Sequence, residues 1–303
     1  MMMIKKYDIC QSPLYKLKNK RRLEKILGLE KYELNKLKFW NKYKSGKIPK
    51  DDGDFREINI PNFKLKKVQK KLQILLSKIQ RPEWLISGEK NKCYINNAQY
   101  HIKSKYVITA DIKKFYDNCS RERVYLSLVN KFKVSSDVAG AITDIVTYNK
   151  RIPTGASTSQ LIAYYSYEDM FNEINTISHK YGCKFSLYVD DMTFSSINPI
   201  NVQSLKRQID IILRKYGHRL KSNKFKYYSK DEDKLITGVT LKSNNSLAVS
   251  NRLRYNIIKD FKGIKYRKDS NIKLQSLKGR ITAAKMIEKS IFPQINNYVS
   301  NLN

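Results

Sequence analysis

The 303-residue chain has no uninterrupted apolar run of the roughly 18–20 residues that a membrane-spanning helix needs. Met1 to Asp8 lacks the apolar core of a secretory leader. Cysteine and histidine are scarce and scattered: Cys10, Cys93, Cys119 and Cys183 form no C-x-x-C pair, and the three histidines do not cluster. The pattern argues against a disulfide framework and a Cys/His zinc site, and a reducing cytoplasm is the expected compartment, with no membrane partner. Acids are scarce too, and 27 Asp and Glu against 60 Lys and Arg leave a formal net charge of +33. Self-repulsion on that scale disfavours a compact state unless a polyanion neutralises it, and nucleic acid is the expected polyanion. An anionic membrane surface is a weaker rival, because the basic residues run the whole length and form no single amphipathic patch. At 41% hydrophobic residues, the chain still has the material for a folded core in one large or two modest domains.

Against this basic background, two adjacent carboxylates stand out. They lie in the apolar run Phe185-Ser186-Leu187-Tyr188-Val189-Asp190-Asp191-Met192-Thr193-Phe194. Aromatic and β-branched flanks predict a strand–turn–strand hairpin with the acids at or near its tip. Two like charges side by side in an apolar setting repel and lose hydration. A divalent cation offsets that cost, and hard oxygen ligands select Mg²⁺, which usually arrives with substrate phosphates. An Asp-Asp pair is also an ordinary turn element, since Asp tolerates left-handed backbone and hydrogen-bonds its own chain.

The rest of the pattern reads as α+β. Residues 14–46 read as one or two helices broken near Gly28. Residues 47–62 read as a hairpin around Asp52-Gly53. A helix over 63–80 carries the apolar stripe Leu65, Val68, Leu72, Leu75, Leu76 and Ile79, with lysines largely off it. Residues 105–112 form an apolar strand with Asp111 near its end, followed by helices near 120–132 and 135–149. The small-residue turn Pro153-Thr154-Gly155-Ala156-Ser157-Thr158-Ser159 opens a helix to about 179. A helix over 201–216, strands near 224–229, 234–242 and 246–250, and basic helices over 251–267 and 272–289 complete the chain.

If the Asp111 strand neighbours the Asp190-Asp191 hairpin in one sheet, three carboxylates converge. That is a ligand set for two divalent ions about 3.5–4 Å apart, the arrangement that serves in-line phosphoryl transfer. Lys50 and Arg56 flank the Gly53 turn, where a hairpin could fold over phosphates; each could equally be an ordinary exposed charge. The Gly155 turn offers backbone amides and room for close approach, or is a simple helix cap.

In order, these residues resemble the palm motifs A, B and C of reverse transcriptases, and more specifically the bacterial retron reverse transcriptases. Asn97-Ala98-Gln99-Tyr100-His101 matches their N-A-x-x-H signature, and Leu235-Ile236-Thr237-Gly238-Val239 matches their V-T-G signature with Ile for Val. Phe55 through Gln69 looks like their first fingers motif. The resemblance implies a right-hand polymerase fold with fingers, an antiparallel palm sheet plus helices, and a small helical C-terminal thumb. It divides the chain into an N-terminal helical segment 1–46, interleaved fingers and palm 47–240, and a basic thumb 241–303. It implies catalysis by Asp111, Asp190 and Asp191, which hold two Mg²⁺ ions, or Mn²⁺ in their place, together with the backbone carbonyl of Ile112. It assigns the dNTP to Lys50, Arg56, Tyr116, Gly155 and Lys224. Tyr116 would exclude a 2′-hydroxyl, or be a core aromatic. Lys224 would protonate pyrophosphate, or be one more surface lysine. Nucleic acid falls to Asn97, His101, Thr237, Gly238, Arg252, Arg254, Lys259, Lys262 and Arg267, although Asn97 and His101 could equally be hydrogen-bonded core groups.

The resemblance further implies a cognate structured non-coding RNA as partner. Part of that RNA would be copied into single-stranded DNA (msDNA) from a guanosine 2′-hydroxyl, leaving an RNA–DNA hybrid, and a separate effector protein would act with the enzyme in defence against phage. Thr154 stands where the family often has Gln and is too short to copy that contact, and Ser157 and Gln160 replace family prolines. Two other readings fit the same sequence. One is a different bacterial enzyme, defence-associated or related to group II introns. The other is a scaffold or antitoxin that binds RNA or msDNA and sequesters an effector.

Overall fold

The computed structural model describes residues 6–49, 55–267 and 271–301. The turn at Gly53, with Lys50, lies outside them. The chain divides into two units, each assembled from three segments: Met1–Glu89, Ile112–Ile177 and Lys206–Lys221 in the first, and Lys90–Asp111, Ser178–Leu205 and Ser222–Asn303 in the second.

In the first unit, a helix over Lys20–Leu27 ends on Gly28, whose φ of 63° is the left-handed conformation that stops a helix. The expected hairpin is longer than its sequence signal. β1 (Tyr43–Pro49) pairs antiparallel with β2 (Phe55–Pro61) from Tyr43↔Pro61 to Pro49↔Phe55. The next helix, Phe63–Ser77, starts where the Asn62 side chain accepts the Leu65 N–H at 2.9 Å. Its Leu65, Val68, Leu72 and Leu76 are buried, while Lys64, Lys66, Lys67, Lys70 and Lys71 are exposed. Gln69, fully buried on the same helix, donates to the Tyr43 hydroxyl at 2.6 Å and to the Ile145 carbonyl at 2.9 Å. β1, this helix and the Ser136–Val146 helix are thereby tied together.

The second unit contains the sheet that matters for the acids. β3 (Tyr106–Asp111), β4 (Lys184–Tyr188), β5 (Asp191–Ser196) and β6 (Lys226–Tyr228) pair antiparallel in the order β4-β5-β3-β6. A three-stranded sheet follows: β7 (Lys234–Ile236), β8 (Val239–Leu241) and β9 (Leu247–Val249). The single strand expected over 234–242 is therefore a hairpin. Thr237 and Gly238 both have positive φ, 45° and 86°, which suits a two-residue turn whose twist matches the strands.

A helix over Tyr94–Tyr100, absent from the sequence reading, packs Ile95 and Ala98 with Val107, Ile236, Val239 and Leu241. Helices Asn251–Arg267, Asn271–Lys285 and Pro293–Ser300 share a core of Ile257, Leu277, Ile281, Ala284, Ile295 and Val299. The last of these helices was also not anticipated. No helix among the described residues is long and apolar enough to cross a membrane.

Candidate active site and nucleic-acid interface

Backbone register brings the acids to one place. Asp111, the last residue of β3, is paired directly with Asp191, the first residue of β5, and Tyr188 of β4 is paired with Asp191 from the other side. Val189 and Asp190 form the two-residue tip between β4 and β5, so Asp191 lies on the strand and Asp190 in the turn. Val189 has φ of 63°, a costly left-handed conformation for a β-branched residue. The tip is thus held in a strained shape by the strands below it.

Electrostatics follow from this crowding. Burial, then the charges of Asp191 and Asp111, push the Asp190 carboxyl up to about 7. Lys224, in the turn Ser222–Lys224, donates from Nζ to Asp111 Oδ2 at 2.6 Å. Burial alone would lower the Lys224 ammonium's pKa. The hydrogen bond to Asp111 and the charges of the three acids outweigh that and raise it. As the side chains stand, no three His, Cys, Asp or Glu groups among the described residues converge on a point able to hold an ion. The convergence expected from sequence is present in the backbone, while Asp111 is engaged by an ammonium. The donor set nevertheless fits a divalent cation: hard oxygen donors, mutually repelling, with one cation already drawn in.

The first unit holds the other nucleotide candidates. Arg56 is exposed on β2, opposite Ile48. Tyr116, half-buried, lies on the short helix Phe115–Asn118, its ring 5.5 Å from that of Phe115. Ile112 is buried and bridges to Leu220. Gly155 has φ of 108°, and a Cβ there would sit 3.3 Å from the Asn59 carbonyl oxygen. Its neighbour Thr154 accepts the Asn59 N–H through its backbone oxygen at 2.7 Å. The motif B turn is therefore docked on β2, which explains why glycine stands there and gives Thr154 a backbone role in place of a side-chain one.

Asn97 and His101 turn inward. Both are fully buried: His101 lies within 2.7 Å of the hydroxyls of Ser186 and Ser195, and Asn97 accepts from Ser186 at 2.7 Å. Thr237 is bonded to the same helix. Asn97 and His101 stand as hydrogen-bonded core groups, while Thr237 is half-buried. Burial, with Lys184 adding positive charge, pushes the His101 imidazole down to about 3, against about 6.5 in an unfolded chain. Above pH 6.5 the ring is neutral in both states and its hydrogen bonds contribute fully. As pH falls from 6.5 toward 3, the unfolded chain takes up a proton that the folded chain excludes, and stability is lost. The stability gap between wild type and His101→Gln should therefore shift by roughly 2 kcal/mol in favour of the variant between pH 7.5 and pH 5. Urea unfolding at both pH values measures it, and a constant gap would contradict it.

Residues 48–255 match the family described as reverse transcriptase (RNA-dependent DNA polymerase). The chain belongs to the reverse transcriptase family. Among its relatives, the Retron Se72 reverse transcriptase of Salmonella heidelberg is 29% identical over 71% of this chain and 57% of that protein. The Retron Ec83 reverse transcriptase of Escherichia coli is 28% identical over 84% of this chain and 85% of that protein. The retron branch is the one to which the N-A-x-x-H and Thr-Gly signatures pointed. Solved structures share the fold. A Candida albicans telomerase in complex with a fragment of telomeric RNA aligns with TM-score 0.52 and 14% identity, over 87% of this chain and 56% of that one. A foamy viral protease-reverse transcriptase in complex with an RNA/DNA hybrid aligns with TM-score 0.50 and 16% identity, over 86% of this chain and 30% of that one.

The basic C-terminal helices carry the remaining cations that the resemblance assigned to nucleic acid. Arg254 is committed internally: its guanidinium donates to both Glu288 carboxylate oxygens at 2.6 and 2.8 Å and to the Val249 carbonyl at 3.1 Å. Arg252, Lys259 and Lys262 are exposed on the Asn251–Arg267 helix. Arg267 ends that helix, and its side chain lies outside the described residues. Sequence reasoning missed Tyr255 and Tyr266, 64% and 72% exposed. Together with Arg252, Lys259 and Lys262 they recur at three- and four-residue spacing, a stripe of three cations and two aromatic rings that the helical period could have revealed. Gly238 is exposed at its turn.

Proposed function

We propose that the chain is an RNA-directed DNA polymerase of retron type that copies part of a dedicated structured RNA into single-stranded DNA. The observation that carries this reading is the Asp111↔Asp191 register beside the Val189-Asp190 tip, within a chain that matches the family from residue 48 to 255. Asp111, Asp190 and Asp191, with the Ile112 carbonyl, would hold Mg²⁺ or Mn²⁺. When bound, the ions supply positive charge to the attacking hydroxyl and the leaving pyrophosphate. Lys224, beside Asp111, supplies a further charge and a proton for pyrophosphate. Arg56, Tyr116 and Gly155 are carried over by resemblance as nucleotide contacts, Tyr116 as the group that rejects a 2′-hydroxyl. Lys50 is carried over likewise.

The exposed stripe Arg252, Tyr255, Lys259, Lys262 and Tyr266 serves the RNA partner. Cations meet phosphates, and rings offer stacking faces to unpaired bases. Supported by the retron relatives, we extend the reading to priming from a guanosine 2′-hydroxyl, an msDNA product that stays associated as an RNA–DNA hybrid, and a separate effector in defence against phage. The division into fingers and palm over 47–240 and a thumb over 241–303 is proposed on the same basis. The test is extension of a primed RNA template by the purified protein with Mg²⁺ and dNTPs. Templated DNA is expected, and no incorporation on any primed RNA would defeat the reading.

Lys224 carries a separate expectation. Its ammonium competes with a divalent ion for Asp111, so Lys224→Met should tighten Mn²⁺ binding in the absence of nucleotide by roughly two- to fivefold, the worth of a partly exposed ion pair. Titration followed by the electron spin resonance of free Mn²⁺ reads this directly. Unchanged or weaker binding would show that the ion pair does not compete.

A further inference from the structure

Two sequence signatures of this chain, Asn97 to His101 and Thr237-Gly238, lie 140 residues apart, Asn97 to Thr237, yet meet in one hydrogen-bonded chain. Ser104 Oγ donates to Ser195 Oγ at 2.9 Å, so the Ser195 proton is free to go to His101 Nδ1 at 2.7 Å. Ser186 Oγ donates to Asn97 Oδ1 at 2.7 Å, so it must accept from His101 Nε2, also at 2.7 Å. A neutral imidazole with its proton on Nε2 satisfies both demands, one as donor and one as acceptor. Asn97 Nδ2 then donates to Thr237 Oγ1 at 3.4 Å, and Thr237 Oγ1 donates to the Tyr94 carbonyl at 3.0 Å. Every link points the same way, from Ser104 to Tyr94. Chains ordered like this polarise their members and resist partial opening.

The chain's location gives it a task. Ser186 is on β4 and Ser195 on β5, the two strands whose connection is the Val189-Asp190 tip. Ser186 is registered with Thr193, Lys184 with Ser195, Tyr188 with Asp191 and Asp191 with Asp111. Paired residues share a sheet face, so both serines lie on the face that carries Asp191 and Asp111. His101 spans the serines diagonally and so holds the two strands in register below a tip whose Val189 is strained. A one-residue slip would turn Asp191 to the opposite face.

We propose that His101 is a positioning residue for the acidic tip, and that Asn97 and Thr237 couple this clamp to the β7–β8 turn, so that the two signatures act as one device. The inference rests on Asp190 and Asp191 carrying the chemistry.

The test uses RNA-templated DNA synthesis by the full chain, with kcat and dNTP KM measured separately. His101→Leu removes donor and acceptor and should lower kcat at least about tenfold, with KM changed less than about threefold. His101→Gln keeps one donor and one acceptor and should recover kcat to within about threefold of wild type. A Leu variant as active as wild type, or a Gln variant as impaired as Leu, would overturn the proposal. Where the Leu variant does not fold, a double-mutant cycle of Ser186→Ala and Thr237→Val decides. These residues are linked through Asn97, so their effects on kcat should be non-additive, and strictly additive losses would overturn the coupling. Asp190→Asn runs in parallel. If it stays active, the assignment of the acids fails. If it is inactive while His101→Leu is unimpaired, only the clamp fails.

Discussion

Replacing Asp190 and Asp191 together with asparagine should lower RNA-templated DNA synthesis by roughly a thousandfold or more while the RNA stays bound. The size of the effect follows from the chemistry. Phosphoryl transfer needs little from the protein beyond position and charge, and here the charge is carried by the carboxylates that would hold the ions. Asparagine matches their shape and cannot compensate their charge. The fold should survive, because the change relieves the burial and like-charge repulsion that disfavour a charged Asp190 in the native state. In metal-free buffer the variant should melt at or above the wild-type temperature, so lost activity cannot be traced to unfolding. On the proposed defence role, phage protection should vanish together with the DNA. Protection that persists without DNA would favour the scaffold or antitoxin reading, in which synthesis is secondary.

A second large effect is expected from salt. Each phosphate contact made by Lys or Arg releases a condensed counterion, so affinity falls linearly on a log–log plot. If six to ten phosphates are engaged, RNA affinity should drop by roughly a thousandfold or more between 50 and 200 mM salt. The exposed cations Arg252, Lys259 and Lys262 are candidates for part of that slope, and each change to a neutral residue should reduce it by about one contact. Arg254→Met should act differently. Its guanidinium is held by Glu288, so its loss should destabilise the C-terminal helices without changing the slope. Tyr255→Ala and Tyr266→Ala should weaken binding at every salt concentration equally, since stacking releases no ions. Fluorescence anisotropy of a labelled RNA across the salt range separates the three behaviours. A nearly flat slope would contradict a role in RNA binding for the +33 charge.

What could be read from sequence, and what could not, divides along physical lines. Asp111, Asp190 and Asp191 were legible because carboxylates within apolar segments are costly and so conspicuous. That β3 lies against β5, in the register that opposes Asp111 to Asp191, is a non-local pairing that strand patterns do not encode. The Lys224–Asp111 ion pair was hidden for the same reason, since its partners lie 113 residues apart. Asn97 and His101 were noticed but stayed ambiguous, because a buried hydrogen-bonding group and an RNA contact use the same residue types. Ser186 and Ser195 gave no signal at all, as small polar residues in strands that could have faced either way. The β7–β8 turn, in contrast, was visible: Thr237-Gly238 between apolar stretches is a hairpin signal, overridden by reading the stretch as one strand. The helix at Tyr94–Tyr100 is a short seven-residue segment, and it takes its place by packing against β3 and β8 more than from its own propensity.

The central claim, that this reverse transcriptase copies a dedicated RNA that it holds, is tested most directly by the nucleic acid that copurifies with it from cells carrying its native locus. The account predicts a single-stranded DNA joined to RNA through a 2′-linked branch, released by a debranching enzyme and missing from Asp190→Asn preparations. Copurification of unbranched RNA alone with the wild-type protein, under conditions that support its biological activity, would contradict it.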